Sequence, residues 1–99
     1  MSDLDPTHTD PDKYKVVFEN DQVRVLEYRD NPGAKTKPHR HPNSVLLFLS
    51  DSQRRLTVDD VVRDVTTETG KAVWSPAQIH VGENTGSTDT RVIFVELKE

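Results

Sequence analysis

The segment Tyr14-KVVFENDQVRVLEYR-Asp30 holds two runs of β-branched and aromatic residues, Tyr14-KVVF and Val23-RVLEY, separated by Asn20-Asp21. Asn and Asp tolerate tight or left-handed backbone, and the flanking residues suit a pleated strand, so the segment predicts strand, turn, strand. The same grammar continues outward through Ser44-VLLFL, Arg54-RLTV, Val61-VRDVT, Ala72-VW, Ile79-HVGE and Arg91-VIFVEL. Turn chemistry separates these runs at Asp30-NP-Gly33, Ser50-DSQ, Asp59-Asp60, Thr67-ET-Gly70 and Asn84-TGSTD. About eight strands follow from this reading. No stretch repeats apolar residues at helical spacing over three turns, and the connections are too short for crossover helices. A parallel α/β sheet is therefore disfavoured, and an all-β sandwich or closed barrel is expected. Val61-VRDVTTET has some helical character, but its valines and threonines favour a strand.

Composition bounds the rest. A chain of 99 residues makes one domain, and with 32% apolar residues its core must be thin or completed by a partner subunit, so a homodimer is expected. Seventeen acids against 13 Lys and Arg give a net charge of −4, which opposes nucleic-acid binding and anionic membranes. There is no cysteine, hence no disulfide and no thiol nucleophile. The opening Met1-SDLDPTHTD-Pro11 lacks a signal-peptide pattern, and no apolar run is long enough to span a bilayer, so the cytoplasm is the expected location. Residues 1–13, with two prolines and four aspartates, read as a flexible N-terminal arm preceding a domain over 14–99. His8 falls in that arm and is excluded from any site.

The other three histidines lie in two glycine-led segments, Gly33-AKTKP-His39-Arg40-His41 and Gly70-KAVWS-Pro76-AQI-His80-VGE-Asn84. A strand points residues i and i+2 to one face, so His39 and His41 can share a site that His80 completes in a rolled sheet. Three neutral imidazoles satisfy a divalent transition metal, leave positions open and keep its full charge, which favours an anionic ligand. The same strand period puts Trp74, Pro76 and Gln78 beside His80, with Trp74 as core or pocket wall. From His41 it leads through Asn43, Val45, Leu47 and Leu49 toward an apolar interior, unless Pro42 breaks the phase. Gly33 and Gly70 are expected in turns, and Asn84 at a strand end or hydrogen-bonded to a ligand. Arg24, Arg55 and Arg91 lie in strands and are assigned no role.

The two segments resemble the motif pair of the cupin superfamily, G-x5-H-x-H-x3–4-E-x6-G and G-x5-P-x-G-x2-H-x3-N. The matches are Gly33, His39 and His41, then Gly70, Pro76, His80 and Asn84. The resemblance spans roughly Tyr14 to Glu99, and it implies a small single-domain RmlC-like jelly-roll barrel with iron, manganese, nickel or zinc held inside. Three departures stand out. The glutamate position falls on apolar Val45 or Leu46, Ser52 stands near the closing glycine, and the second motif is one residue short between Pro76 and His80, with Gln78 where the family commonly has glycine. A three-histidine set also resembles the iron site of thiol dioxygenases in the same superfamily. Phe18-ENDQVRVLEYRDNPG and Trp74-SPAQIHVGENTG resemble single-domain bacterial cupins, one group of which is linked to β-alanine degradation.

Two functions are consistent with this reading. One is a metal-dependent enzyme, dioxygenase- or isomerase-like, acting on a small organic acid or amino-acid-derived metabolite. The other is a non-enzymatic module sensing a metabolite or metal, and a barrel without metal is the remaining possibility.

Overall fold

Residues 3–98 are described by a computed structural model, in which each of the expected runs forms a strand. The hairpin that opened the reading is β1 (Tyr14–Glu19) and β2 (Val23–Asp30), paired antiparallel with a bulge between Val16 and Phe18. Its turn is fixed by Asn20, whose Oδ1 accepts from the Gln22 and Val23 amides at 2.8 Å each. Then come β3 (His39–His41), β4 (Ser44–Phe48), β5 (Ser52–Val58), β6 (Val61–Thr67), β7 (Ala72–Ser75), β8 (Gln78–Asn84) and β9 (Thr90–Leu97). They form two antiparallel sheets, β1-β2-β9-β4-β7 and β3-β8-β5-β6, the facing layers of a jelly roll. Among the described residues no helix is long and apolar enough to cross a membrane.

The two layers contribute unequally to the interior. The buried apolar core is Tyr14, Leu26, Tyr28, Phe48, Val92 and Phe94, all on the five-stranded sheet. Each such side chain contributes about 1.5–3 kcal/mol through burial. The four-stranded sheet turns buried His39, His41, Ser52, His80, Gly82 and Asn84 inward instead.

Two expectations about side-chain phase are corrected at the points where the chain changes sheet. Pro42 and Asn43 carry it from β3 in one sheet to β4 in the other, so Ser44 and Phe48 are buried while Val45, Leu47 and Leu49 are exposed. Pro76 and Ala77 do the same between β7 and β8. Val73 packs against the core and Trp74 is 57% exposed, so Trp74 is not a core residue. Period-2 counting holds only within one strand.

The described part of the expected arm lies against the barrel; Met1, Ser2 and, at the other end, Glu99 lie outside the described residues. Pro6–Thr9 form one helical turn, α1, capped by Asp5, whose carboxylate accepts from the Thr7 amide at 2.9 Å. Pro6 and Asp10 are buried, the Leu4 carbonyl accepts from the Arg40 amide at 2.7 Å, and the Asp10 carboxylate accepts from the Lys37 amide. Polar bonds to the barrel anchor a segment whose own apolar content is too low to order it. His8 is exposed and pairs with Asp3.

The turns follow the reading closely. Gly33 and Gly70 both have φ +86°, a conformation a side chain would strain. Asp59 and Asp60, the two-residue loop joining β5 to β6, also take positive φ, 51° and 63°.

Candidate metal centre

The antiparallel pairing of β3 with β8 sets His39 directly opposite His80, which brings together residues 41 positions apart in the chain. His41 follows on the same face two residues after His39. All three are buried, and their ligand atoms lie within 4.8 Å of one another. The imidazole rings meet edge to face at 4.7 to 5.1 Å, and Phe94 stacks on His41 at 4.6 Å.

The tautomers are fixed by what lies behind each ring. His39 Nδ1–H donates to the Lys37 carbonyl at 2.8 Å, and His41 Nδ1–H donates to Glu96 Oε2 at 2.8 Å. His80 Nδ1–H donates to Gln78 Oε1 at 2.9 Å, the Gln78 amide being oriented by its own Nε2–H bonds to the Pro76 carbonyl and Ser75 Oγ. All three partners are acceptors, so each ring keeps its proton on Nδ1 and presents the Nε2 lone pair. Burial, with His41 beside it, lowers His39 to about 4; burial and both neighbouring imidazoles lower His80 to about 3. Both are neutral at pH 7 and available as ligands.

The support behind His41 extends to the N-terminal segment. Glu96, itself buried, accepts from Arg24 Nε at 2.9 Å, and Arg24 grips Asp5 with both Nη groups at 2.9 and 3.2 Å. Burial alone would raise the Asp5 carboxyl, but the bonds from Arg24 and Thr7 bring it down to about 2.

Tyr14 stands on the inner side of the cluster. Its Oη lies 3.1 Å from His39 Nε2 and 3.3 Å from His41 Nε2. Burial raises this phenol well above its ordinary pKa, so in the metal-free protein it stays protonated and donates to the paired lone pairs. Tyr14 and His80 line a cavity of about 560 Å³ bounded by Leu46, Phe48, Leu56 and Val92, a volume suited to a small molecule. His39 and His41 lie outside that lining. Arg54 and Arg63 are its cations, and among the described residues it has no carboxylate. Arg54 is itself tied to Asp30 at 2.8 Å and to Tyr28 at 3.0 Å. Gly82 leaves space for that guanidinium: a Cβ there would meet Arg54 Nη2 at 3.0 Å.

Of the residues singled out from sequence, the structure brings together His39, His41, His80 and Gln78. Trp74 reaches only the edge of the cavity from an exposed position. Asn84 lies at the far end of β8, where its side chain bonds Asp30 Oδ1, the Thr88 carbonyl and the Gly86 amide, so it holds a turn. Sequence reasoning missed Tyr14, Glu96 and Arg54. For Glu96 a signal existed, since Thr90, Val92, Phe94 and Glu96 share one face of β9 and an acid in line with core positions needs a buried partner.

No family profile and no curated protein matches the sequence, whereas solved structures match over most of the chain. A two-sheet barrel enclosing a buried cluster of imidazoles defines the class as a double-stranded β-helix. The similar structures place this fold with the cupins. A cupin domain from Bordetella pertussis superposes with a TM-score of 0.81 at 24% identity, covering 87% of this chain and 92% of that one. An RmlC-like cupin from Methanocaldococcus jannaschii gives 0.69 at 15% identity, over 85% and 77%. The polyketide cyclase RemF from Streptomyces resistomycificus gives 0.66 at 21% identity, over 87% of this chain but 64% of its own.

Proposed function

We propose that the chain is a metal-dependent cupin enzyme in which His39, His41 and His80 hold a divalent first-row ion beside the apolar cavity and a small organic anion is the substrate. The observation that carries this reading is the commitment of all three Nδ1–H groups to acceptors, which leaves the Nε2 lone pairs of three buried, clustered imidazoles free. When bound, such an ion polarises a substrate oxygen and lowers the pKa of coordinated water. The chain's own groups do the rest. Gln78 and Glu96 hold the rings in register, the apolar walls exclude water, and Arg54 with Arg63 supplies positive potential for an anion in a cavity without carboxylates. With no Asp or Glu in its lining among the described residues, water coordinated to a bound ion would be the proton donor there.

The test begins with elemental analysis of protein purified without a histidine tag. About one ion per chain is expected, falling at least ~10-fold in His80→Ala, since each lost ligand weakens a site already short of anionic donors. Full occupancy in that variant overturns the assignment. Turnover across a panel of small acids and amino acids then separates the enzyme from the second reading, a binding module, which predicts saturable binding with no product.

For the partner we propose a second copy of the chain, on the outer face of the five-stranded sheet. There Phe18, Val25, Val95, Val45 and Trp74 stand opposite one another in register across all five strands. The end residues Phe18 and Trp74 are 54% and 57% exposed. Strand spacing and rise give this face roughly 500 Å² before side-chain relief is counted, approaching the ~800 Å² per partner of a standard interface. A sheet face packed on its own copy is isologous, as a two-fold dimer requires.

A further inference from the structure

Resting on the three-histidine reading, the geometry points to Tyr14 as a fourth ligand: we propose that its phenolate oxygen completes the metal site. With metal–nitrogen bonds of about 2.0–2.1 Å, neighbouring ligand atoms in octahedral or tetrahedral coordination lie about 2.9–3.4 Å apart. Tyr14 Oη lies 3.1 Å from His39 Nε2 and 3.3 Å from His41 Nε2, so the oxygen stands at ligand-to-ligand spacing from both nitrogens.

The placement of that oxygen is built into the fold. Tyr14 is the one buried residue of β1, whose remaining positions are exposed. Its ring packs on Tyr28 at 4.6 Å and on Phe94 at 5.6 Å, which directs the hydroxyl to the histidines rather than to solvent. β4 offers no competing oxygen from Val45 or Leu46, since Val45 faces outward and Leu46 packs on the core. The charge balance agrees. Three neutral imidazoles leave a divalent ion with its whole charge at a buried site, and one phenolate halves it. On ligation the phenolic O–H bond breaks, the proton passes to solvent, the oxygen lone pair forms the metal bond, and no electron is transferred. Because Tyr14 and His80 line the cavity while His39 and His41 do not, substrate would approach the ion between the phenolate and His80.

The experiment strips the whole untagged chain of metal and reloads it with Fe(III) or Zn(II). The Fe(III) protein should show a visible phenolate-to-iron charge-transfer band, with tyrosinate vibrations enhanced by resonance Raman excitation within it. Tyr14→Phe should lose both and bind Zn(II) at least ~10-fold more weakly, a ligand outweighing the outer partners whose loss costs that much. Tyr28→Phe should keep the band, because that hydroxyl faces Asp30. One ion per chain with no tyrosinate signature, at an affinity equal to that of Tyr14→Phe, overturns the phenolate assignment and leaves the three imidazoles standing. A folded wild-type chain that takes up neither metal overturns both. Should Tyr14→Phe fail to fold, the Raman spectrum of the wild-type protein decides alone.

Discussion

The two sheets divide the work of this molecule. The five-stranded sheet supplies the whole buried apolar core and carries a further apolar row on its outer face, whereas the four-stranded sheet turns imidazoles, an asparagine and a glycine into the same interior. One layer provides the apolar cohesion and the other the three imidazoles. The contrast explains why so small an apolar fraction suffices: the polar groups turned inward find hydrogen-bond partners, and no described buried side-chain polar atom lacks one.

Cutting into the apolar layer should therefore have the largest effect. Phe94→Ala removes a core ring that also stacks on His41, and a loss of about 3–5 kcal/mol is expected, read as a fall in the urea midpoint. A change under about 1 kcal/mol would mean that the polar layer carries stability as well. Acid should expose the cost of the polar layer. An unfolded histidine takes a proton near its ordinary 6.5, while folded His39 and His80 refuse one until about 4 and about 3. Between those limits the unfolded state binds more protons, so apoprotein stability is full above 6.5 and declines as pH falls toward 4. Asp5, held near 2, gives up its contribution only between its ordinary 3.8 and about 2, so melting temperatures recorded from pH 8 to 2 show most of the histidine loss above pH 4 and the Asp5 loss below it. A melting temperature flat between pH 7 and 4 would refute the neutral imidazole cluster.

Smaller effects sharpen the contrast further. Glu96→Gln keeps the shape but removes the charge that His41 and Arg24 share, and Zn(II) affinity measured by chelator competition should fall by about 10–100-fold. Trp74→Glu strikes the outer face of the cohesive layer: light scattering should report a monomer in place of a dimer, with metal affinity unchanged. The smallest expected effect lies at the rim of the polar layer. Asp60 sits at φ 63°, and Asp60→Gly relieves that strain, raising stability by about 1 kcal/mol in denaturant unfolding.

The all-β fold was legible because every strand announces itself with β-branched residues and nearly every connection with Asn, Asp, Gly or Ser. His39 and His41 were legible because two residues on one short strand share a face. What escaped the sequence is what depends on the way strands meet. Trp74 and Val45 were counted onto the wrong face because Pro42 and Pro76 mark sheet changes, and a period of two does not survive a change of sheet. Tyr14 and Glu96, 82 residues apart, converge on the same imidazoles from β1 and β9, and no local pattern encodes that meeting. The ordering of Leu4 to Asp10 was invisible for a related reason, because the groups that hold it, Arg24, Lys37 and Arg40, belong to other parts of the chain.

The position of β9 has a kinetic consequence. It lies between β2 and β4, so until residues 90–97 insert, the cohesive sheet exists only as a β1-β2 hairpin and a β4-β7 pair with no hydrogen bonds between them. Closing it brings together segments about 44 to 74 residues apart, an entropic cost incurred before most of the reward arrives, which puts folding in the slow, millisecond-to-second class of β topologies. His41 gains its carboxylate partner only when β9 is in place. Metal uptake should thus follow the closing of the barrel rather than guide it, and ion entry through the cavity mouth, rather than chain collapse, would set how fast the protein becomes loaded.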